Sequence, residues 1–207
     1  MKTILCYGDS NTWGYNPESG RRHPYADRWT TILQHQLGES YLVVPEGLCG
    51  RTTVWDDPIE GDKNGRTYLA PCLASHKPLD LVILMLGTND MKRRFSLPAT
   101  DIAAGVGVLA DMILKSGCGP LESAPNVLIL VPPEARAVIR ENETFGDCLA
   151  TSKEFPKAFT AMTKERGIPC LDLGPKVRLS DIDGIHFERE QLPILGRLVA
   201  TEVRNLF

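Results

Sequence analysis

Ser10 follows a short apolar run, in Gly8-Asp9-Ser10-Asn11, where an ordinary turn would need no hydroxyl. A serine oxygen becomes a nucleophile when a base takes its proton, and imidazole is the usual base near neutral pH. Of the four histidines, His23 and His76 fall in stretches that read as loops or helix ends, and His35 on a predicted helix near Gly38. Only His186 has an aspartate three residues before it, in Asp183-Gly184-Ile185-His186. Asp183 can hold one ring nitrogen while the other faces Ser10, so a single loop delivers both base and orienting acid. Acyl transfer also needs hydrogen-bond donors where the tetrahedral oxyanion forms. Three candidates are the N–H of Ser10, the N–H of Gly50 and the side-chain amide of Asn89 in Gly87-Thr88-Asn89-Asp90. Gly50 has no Cβ, which lets a substrate oxygen approach its backbone.

Taken singly, each of these has a plainer reading. Gly-Asp-Ser is mostly a turn, Asn89 is a common turn residue, and Asp183-Gly184 is a turn dipeptide. Asp9 reads as structural, hydrogen-bonding the turn that aims Ser10. Cys49, beside Gly50, could serve as a second nucleophile, but no second histidine is placed to activate it. Two other functions compete. A dinuclear metal phosphoesterase could use Asp9, Asn89 and His186, but too few histidines lie near the other acids to ligate two metals. A non-catalytic flavodoxin-like module could cradle phosphate in the first loop. There Asp9 would repel the anion and Trp13 would crowd it.

The elements that must position these residues alternate between strand-like and helix-like runs. Strands are expected at Thr3–Tyr7, Tyr41–Val44, Leu79–Leu86, Val127–Val131 and Pro169–Leu173. Asp27 is a plausible N-cap for a helix ending before Gly38. In Pro98–Ser116, Ile102, Val106, Leu109 and Ile113 keep one helical face apolar. Its internal Gly105 and Gly107 suggest close packing on the sheet. Phe155–Arg166 and Glu190–Leu206 are the remaining helix candidates. The nearly continuous apolar run Leu81–Leu86 suits a strand covered on both faces. The alternation predicts a three-layer α/β/α parallel sheet with right-handed crossovers. Ligands of such sheets bind beyond the carboxyl ends of the strands. The segments carrying Ser10, Gly50, Asn89 and Asp183–His186 all follow strands, so all four fall on that edge.

Bulk properties narrow the setting. The 207 residues suit one domain over 1–207, with 43% hydrophobic and 24% charged residues. A net charge of -3 gives no reason to expect nucleic acid or an anionic membrane as partner. The apolar run Leu81–Leu86 falls far short of the ~20 residues a membrane span needs. None of the six cysteines sits in a CxxC pair, so the common zinc and thioredoxin signatures are absent. With no secretory leader visible, a cytoplasmic protein with reduced thiols is expected, needing no metal or other cofactor.

The blocks "GDSN", the glycine segment ending at Gly50, "GTND" and "DGIH" together resemble the SGNH (GDSL-type) hydrolase superfamily. The stretches "ILCYGDSNTWGY", "EGLCGRTTVWDDP" and "PLDLVILMLGTND", with the terminal "DGIHF", are similar to its bacterial arylesterase/acyltransferase branch. The resemblance implies a flavodoxin-like, five-stranded parallel sheet of order 2-1-3-4-5. It also implies Ser10 as nucleophile, His186 as base, Asp183 as its partner, and an oxyanion hole of Ser10, Gly50 and Asn89. The implied substrate is a short-chain aryl, alkyl or acetylated sugar ester, with water or an alcohol accepting the acyl group. Homo-oligomers that narrow the site entrance are implied too. Asn11 stands where the family name has leucine, and it is expected, with Trp13 and Ile185, to touch substrate. Tyr15, Trp55 and Phe145 are further aromatic candidates for the walls. Pro132–Leu149 is the least family-like segment.

Overall fold

A computed structural model describes all residues, 1–207. The five strands are β1 (Lys2–Gly8), β2 (Tyr41–Gly47), β3 (Leu81–Met85), β4 (Asn126–Val131) and β5 (Cys170–Asp172). They pair parallel throughout, in the order 2-1-3-4-5. The helices are α1 (Ser10–Trp13), α2 (Trp29–Leu37), α3 (Gly65–His76), α4 (Ala99–Leu114), α5 (Leu149–Lys153), α6 (Phe155–Arg166) and α7 (Leu192–Leu206).

Alternation along the strands sends side chains into two separate cores. Leu5, Tyr7, Val82, Leu84 and Ile129 meet Leu69 of α3, Ile102 and Val106 of α4, and Phe155 and Phe159 of α6. Ile4, Cys6, Ile83, Leu128 and Leu130 meet Trp29 and Leu33 of α2 and Leu195, Val199 and Val203 of α7. Helices therefore cover both faces, and every residue of β3 is buried. Each such Leu or Ile contributes about 1.5–3 kcal/mol through removal from water. That burial holds the sheet as a rigid base for the loops at its carboxyl edge.

Several local expectations change. Asp27 does not cap α2: it ends a short 3₁₀ turn, Tyr25–Asp27, and Arg28 takes the capping position without a side-chain bond. The Asp27 carboxylate instead pairs with Arg189 at 3.1 Å. β2 runs past Pro45 to Gly47, because it is an edge strand, where a missing N–H is tolerated. The helix α3 was not anticipated, since Gly65 at its start and Pro71 inside it obscure the pattern. Its start is marked by Asn64, whose side chain accepts from the Arg66 N–H. Gly105 and Gly107 make room for other neighbours than the strands: a Cβ at the first would strike Thr53, and at the second would meet the Arg166 guanidinium at 2.9 Å.

Candidate active site

The Ser10 turn is built from backbone chemistry. The Asp9 carboxylate accepts from the Asn11 N–H at 2.9 Å, and α1 opens at once with Ser10 in its first position. First-turn N–H groups of a helix have no intrahelical partner. The Ser10 N–H donates to no protein acceptor, and neither does the Gly50 N–H. Gly47 lets the end of β2 lie directly against α1, since a Cβ there would overlap the Trp13 backbone nitrogen.

Asp183 organises the opposite loop. Its Oδ1 accepts from the N–H groups of Ile185 and His186, each at 3.1 Å. That Asx-type turn needs the three-residue spacing, and it leaves Oδ2 to accept from His186 Nδ1 at 2.7 Å. His186 Nε2 then lies 2.8 Å from Ser10 Oγ. Burial alone would raise the Asp183 carboxyl. The hydrogen bond and charge of His186, with the two N–H groups, outweigh it and hold the carboxyl below its usual range. The Tyr15 ring packs against the imidazole, with centroids 4.3 Å apart.

Asn89 and Gly50 complete the rim. The Asn89 amide donates one N–H to the Arg51 carbonyl at 3.1 Å, which orients the group and leaves its second N–H for another acceptor. Gly50 has φ +83°, a left-handed conformation, and a Cβ there would lie 2.6 Å from a Glu60 carboxylate oxygen. Ser10, Gly50, Asn89, Asp183, Ile185 and His186 all line one cavity of about 310 Å³.

The expected substrate contacts divide. Ile185, Tyr15 and Phe145 line the cavity, whereas Asn11, Trp13 and Trp55 do not. Asn11 is buried, and its amide bridges the Ser10 turn and the His186 loop. Nδ2 donates to the Ile185 carbonyl at 2.9 Å, and Oδ1 accepts from the Phe187 N–H at 3.2 Å. One amide N–H and the amide oxygen are thus engaged in a clamp, and the side chain lies outside the cavity lining. Trp13 carries the Arg22 guanidinium on its ring instead. Cys49 lines the cavity, but burial and the Asp9 charge push its thiol up, so it stays protonated at neutral pH.

The remaining histidines do not line this cavity. His23 is buried, which lowers its pKa and keeps it neutral, His35 is exposed on α2, and His76 meets Glu46 at 2.9 Å. Asp9 is buried as well, and desolvation pushes its carboxyl up to about 6 against the pull of the Asn11 N–H and the nearby cations. It makes no hydrogen bond to Asn89 or His186.

Sequence reading missed several residues at the site. Asp90, after Asn89, is fully buried and accepts from the Thr53 N–H and hydroxyl, tying the Asn89 segment to the one after Gly50. Lys92 is buried and bonds Asp57 at 3.0 Å and Glu60 at 2.5 Å, and it shares the cavity wall with Glu60. Burial would raise Asp57, but the Ile59 N–H and Lys92 hold it low. Asn142 and Thr144, from the segment after β4, line the cavity beside the expected Phe145. The adjacent letters in "GTND" and "MKRRF" were available as signals, but neither spacing nor periodicity links Lys92 to residues 57 and 60.

Comparison with known proteins agrees with this geometry. Residues 6–190 match the model of the GDSL-like Lipase/Acylhydrolase family. A search of curated protein sequences returns no match. Among solved structures, the chain is similar to Est24, a carbohydrate acetylesterase from Sinorhizobium meliloti, with 39% identity, all of both chains covered and a TM-score of 0.95. It is equally similar to the inhibitor-bound aryl esterase of M. smegmatis, with 39% identity, full coverage of both chains and a TM-score of 0.95. A carbohydrate acetylesterase family member from Sinorhizobium meliloti aligns at 35% identity, over 99% of this chain and 98% of that one, with a TM-score of 0.93. With the blocks, the sheet order and the family match in agreement, the chain belongs to the GDSL-like lipase/acylhydrolase family and is a carboxylic ester hydrolase.

Proposed function

We propose that Ser10, His186 and Asp183 hydrolyse short-chain acyl esters through an acyl-enzyme. Ser10 Oγ attacks the ester carbonyl as His186 Nε2 takes its proton, and Asp183 holds the imidazolium. The oxyanion receives the N–H groups of Ser10 and Gly50 and the free N–H of Asn89. His186 then protonates the leaving alcohol, and water attacks the acyl-enzyme with His186 again acting as base. An alcohol in place of water gives acyl transfer. The observation that carries this reading is the hydrogen-bonded chain at 2.8 and 2.7 Å opening onto the shared cavity.

A cavity of about 310 Å³ is at the small end for ligand sites, which favours acetyl and other short acyl groups. Glu60, Lys92, Asn142 and Thr144 give it a polar wall suited to a hydroxylated alcohol portion. That lining, with the acetylesterase neighbours, favours acetylated sugars over plain alkyl esters. The six cysteines are all free thiols, which suits a reducing, cytoplasmic setting. No helix is long and apolar enough to cross a membrane. Exposed Ile59 and Trp55, on the loop carrying Glu60, suit a homo-oligomer contact near the cavity mouth, checked by light scattering.

The test pairs a covalent probe with a substrate series. Wild type should form a single organophosphonate adduct on Ser10, read by mass spectrometry, and the folded Ser10→Ala variant should form none. Persisting turnover in that variant would rule out the nucleophile. Rates on esters from acetyl to octanoyl should fall sharply beyond butyryl, and EDTA should leave ester turnover unchanged.

A further inference from the structure

A second cluster of reactive side chains lies outside the Ser10 cavity. Glu46 near the end of β2, and Cys72 and His76 on α3, offer a carboxylate oxygen, a thiol sulfur and a ring nitrogen, all within 4.8 Å of one another. Cys72 and His76 are four apart on one helix, which places them on the same face a turn apart. The strand brings Glu46 to them from 26 positions before Cys72, so no short cysteine–histidine motif exists to be read in the sequence.

The donors are of three kinds that one ion accepts together. A tetrahedral zinc ion, with Zn–S of about 2.3 Å and Zn–N or Zn–O of about 2.0–2.2 Å, sets its ligands roughly 3.3–3.6 Å apart. His76 Nε2 and Glu46 Oε1 are already 2.9 Å apart, so small rotations of these partly exposed side chains open the space the ion needs. Cys72 is fully buried, which fixes the sulfur. We propose that Glu46, Cys72 and His76 form a three-ligand site for Zn²⁺, with a fourth position left to solvent or an anion.

The surroundings fit an ion with one open position. Glu46, but neither Cys72 nor His76, lines a cavity of about 550 Å³ together with Arg51, Tyr68 and Pro71, and the Glu46 and His76 side chains are partly exposed to solvent. Arg51 is buried and bonds the Gly8 and Glu46 carbonyls. Its guanidinium lies over the Tyr7 ring, 4.0 Å from the centroid. Its charge favours the thiolate and an anionic fourth ligand. A free thiol is protonated at neutral pH, so the apo site carries the proton. Binding therefore breaks the S–H bond, releases one proton to solvent and forms the Zn–S bond, with no change of oxidation state. Carboxylate and thiolate together then balance the charge of the ion. The site shares no residue with the cavity around Ser10, so it joins β2 to α3 and takes no part in ester turnover.

The test uses tag-free, reduced, EDTA-dialysed full-length protein. Titration with Zn²⁺ alone should give one site, release of one proton and a raised melting temperature. Equimolar Co²⁺ should give a thiolate-to-cobalt charge-transfer band with tetrahedral visible absorption. Cys72→Ser should abolish the band, and His76→Gln and Glu46→Gln should weaken Zn²⁺ binding at least tenfold. His76 and Glu46 are partly exposed, so their variants keep the test open should Cys72→Ser fold poorly. Absence of the band, its survival in Cys72→Ser, or unchanged affinity in both His76→Gln and Glu46→Gln would overturn the proposal. Ester turnover with and without Zn²⁺ is a separate readout, so failure here leaves the Ser10 assignment intact.

Discussion

Asp183 combines two tasks in one carboxylate: Oδ1 holds the turn through two N–H groups, and Oδ2 orients the imidazole. In Asp183→Asn the amide oxygen can still accept from the turn. Its NH₂ would then face His186 Nδ1 and drive the ring to the tautomer that carries its proton toward Ser10. Turnover should fall about 10⁴-fold with little change in melting temperature, a split that steady-state kinetics and calorimetry separate. Gly50→Ala acts differently. The new Cβ meets both an unfavourable φ and the Glu60 carboxylate, so the backbone N–H is re-aimed. With the Gly50 N–H as a proposed oxyanion donor, its loss should lower kcat by about 10²–10³. The Asp183–His186 spacing and Gly50 were both legible as letters. The task of Asn11 was not, because its partners are backbone atoms 174 and 176 residues away.

At the scale of elements, the serine turn and the histidine loop are held together by that buried amide. Asn11→Ala leaves the Phe187 N–H and the Ile185 carbonyl without their partner, and an unsatisfied buried group costs about 1–3 kcal/mol. The urea midpoint should fall accordingly, and kcat should fall with it as the Ser10–His186 distance loosens. Gly47 is the matching point between β2 and α1. Its missing Cβ is replaced by backbone, which cannot move aside as a flexible side chain can, so Gly47→Ala should destabilise by at least about 1–3 kcal/mol. β1 to β4 were legible because their apolar runs are long or β-branched, and β5 because a short apolar run follows the predicted α6. The helix α3 was not, because its tertiary contacts override the Gly65 and Pro71 in its own sequence.

For the whole molecule, buried carboxyls make stability depend on pH in opposing ways. Desolvation pushes Asp90 up to about 6, against the Thr53 hydrogen bonds, so the folded state holds this proton more tightly than the unfolded chain. An unfolded aspartate titrates near ~3.9, so the stabilisation from Asp90 is present below that pH and is lost as pH rises to about 6. Asp9 follows the same sign. Asp57 and Asp183 are held low, so their contribution is present above ~4 and is lost as pH falls further. His23, lowered by burial, loses stability as pH falls below ~6.5 and so works against Asp9 and Asp90 in the same window. Comparing wild type with Asp90→Asn cancels the shared terms. The melting-temperature difference should favour wild type most near pH 4, shrink toward pH 6 and then level off. A constant difference across that range would mean that Asp90 carries no raised pKa.

The sequence by itself determined the family, the layered parallel sheet and the residue types at its carboxyl edge. Those depend on local signals: apolar runs, turn residues and four short blocks. Only the tertiary structure decided which side chains meet across the chain. Asn11 turned toward residues 185 and 187 and away from the cavity, Lys92 joined Asp57 and Glu60 on its wall, and Cys72 and His76 met Glu46. Pairings of that kind arise when the sheet order brings distant loops together, and neither spacing nor periodicity records them.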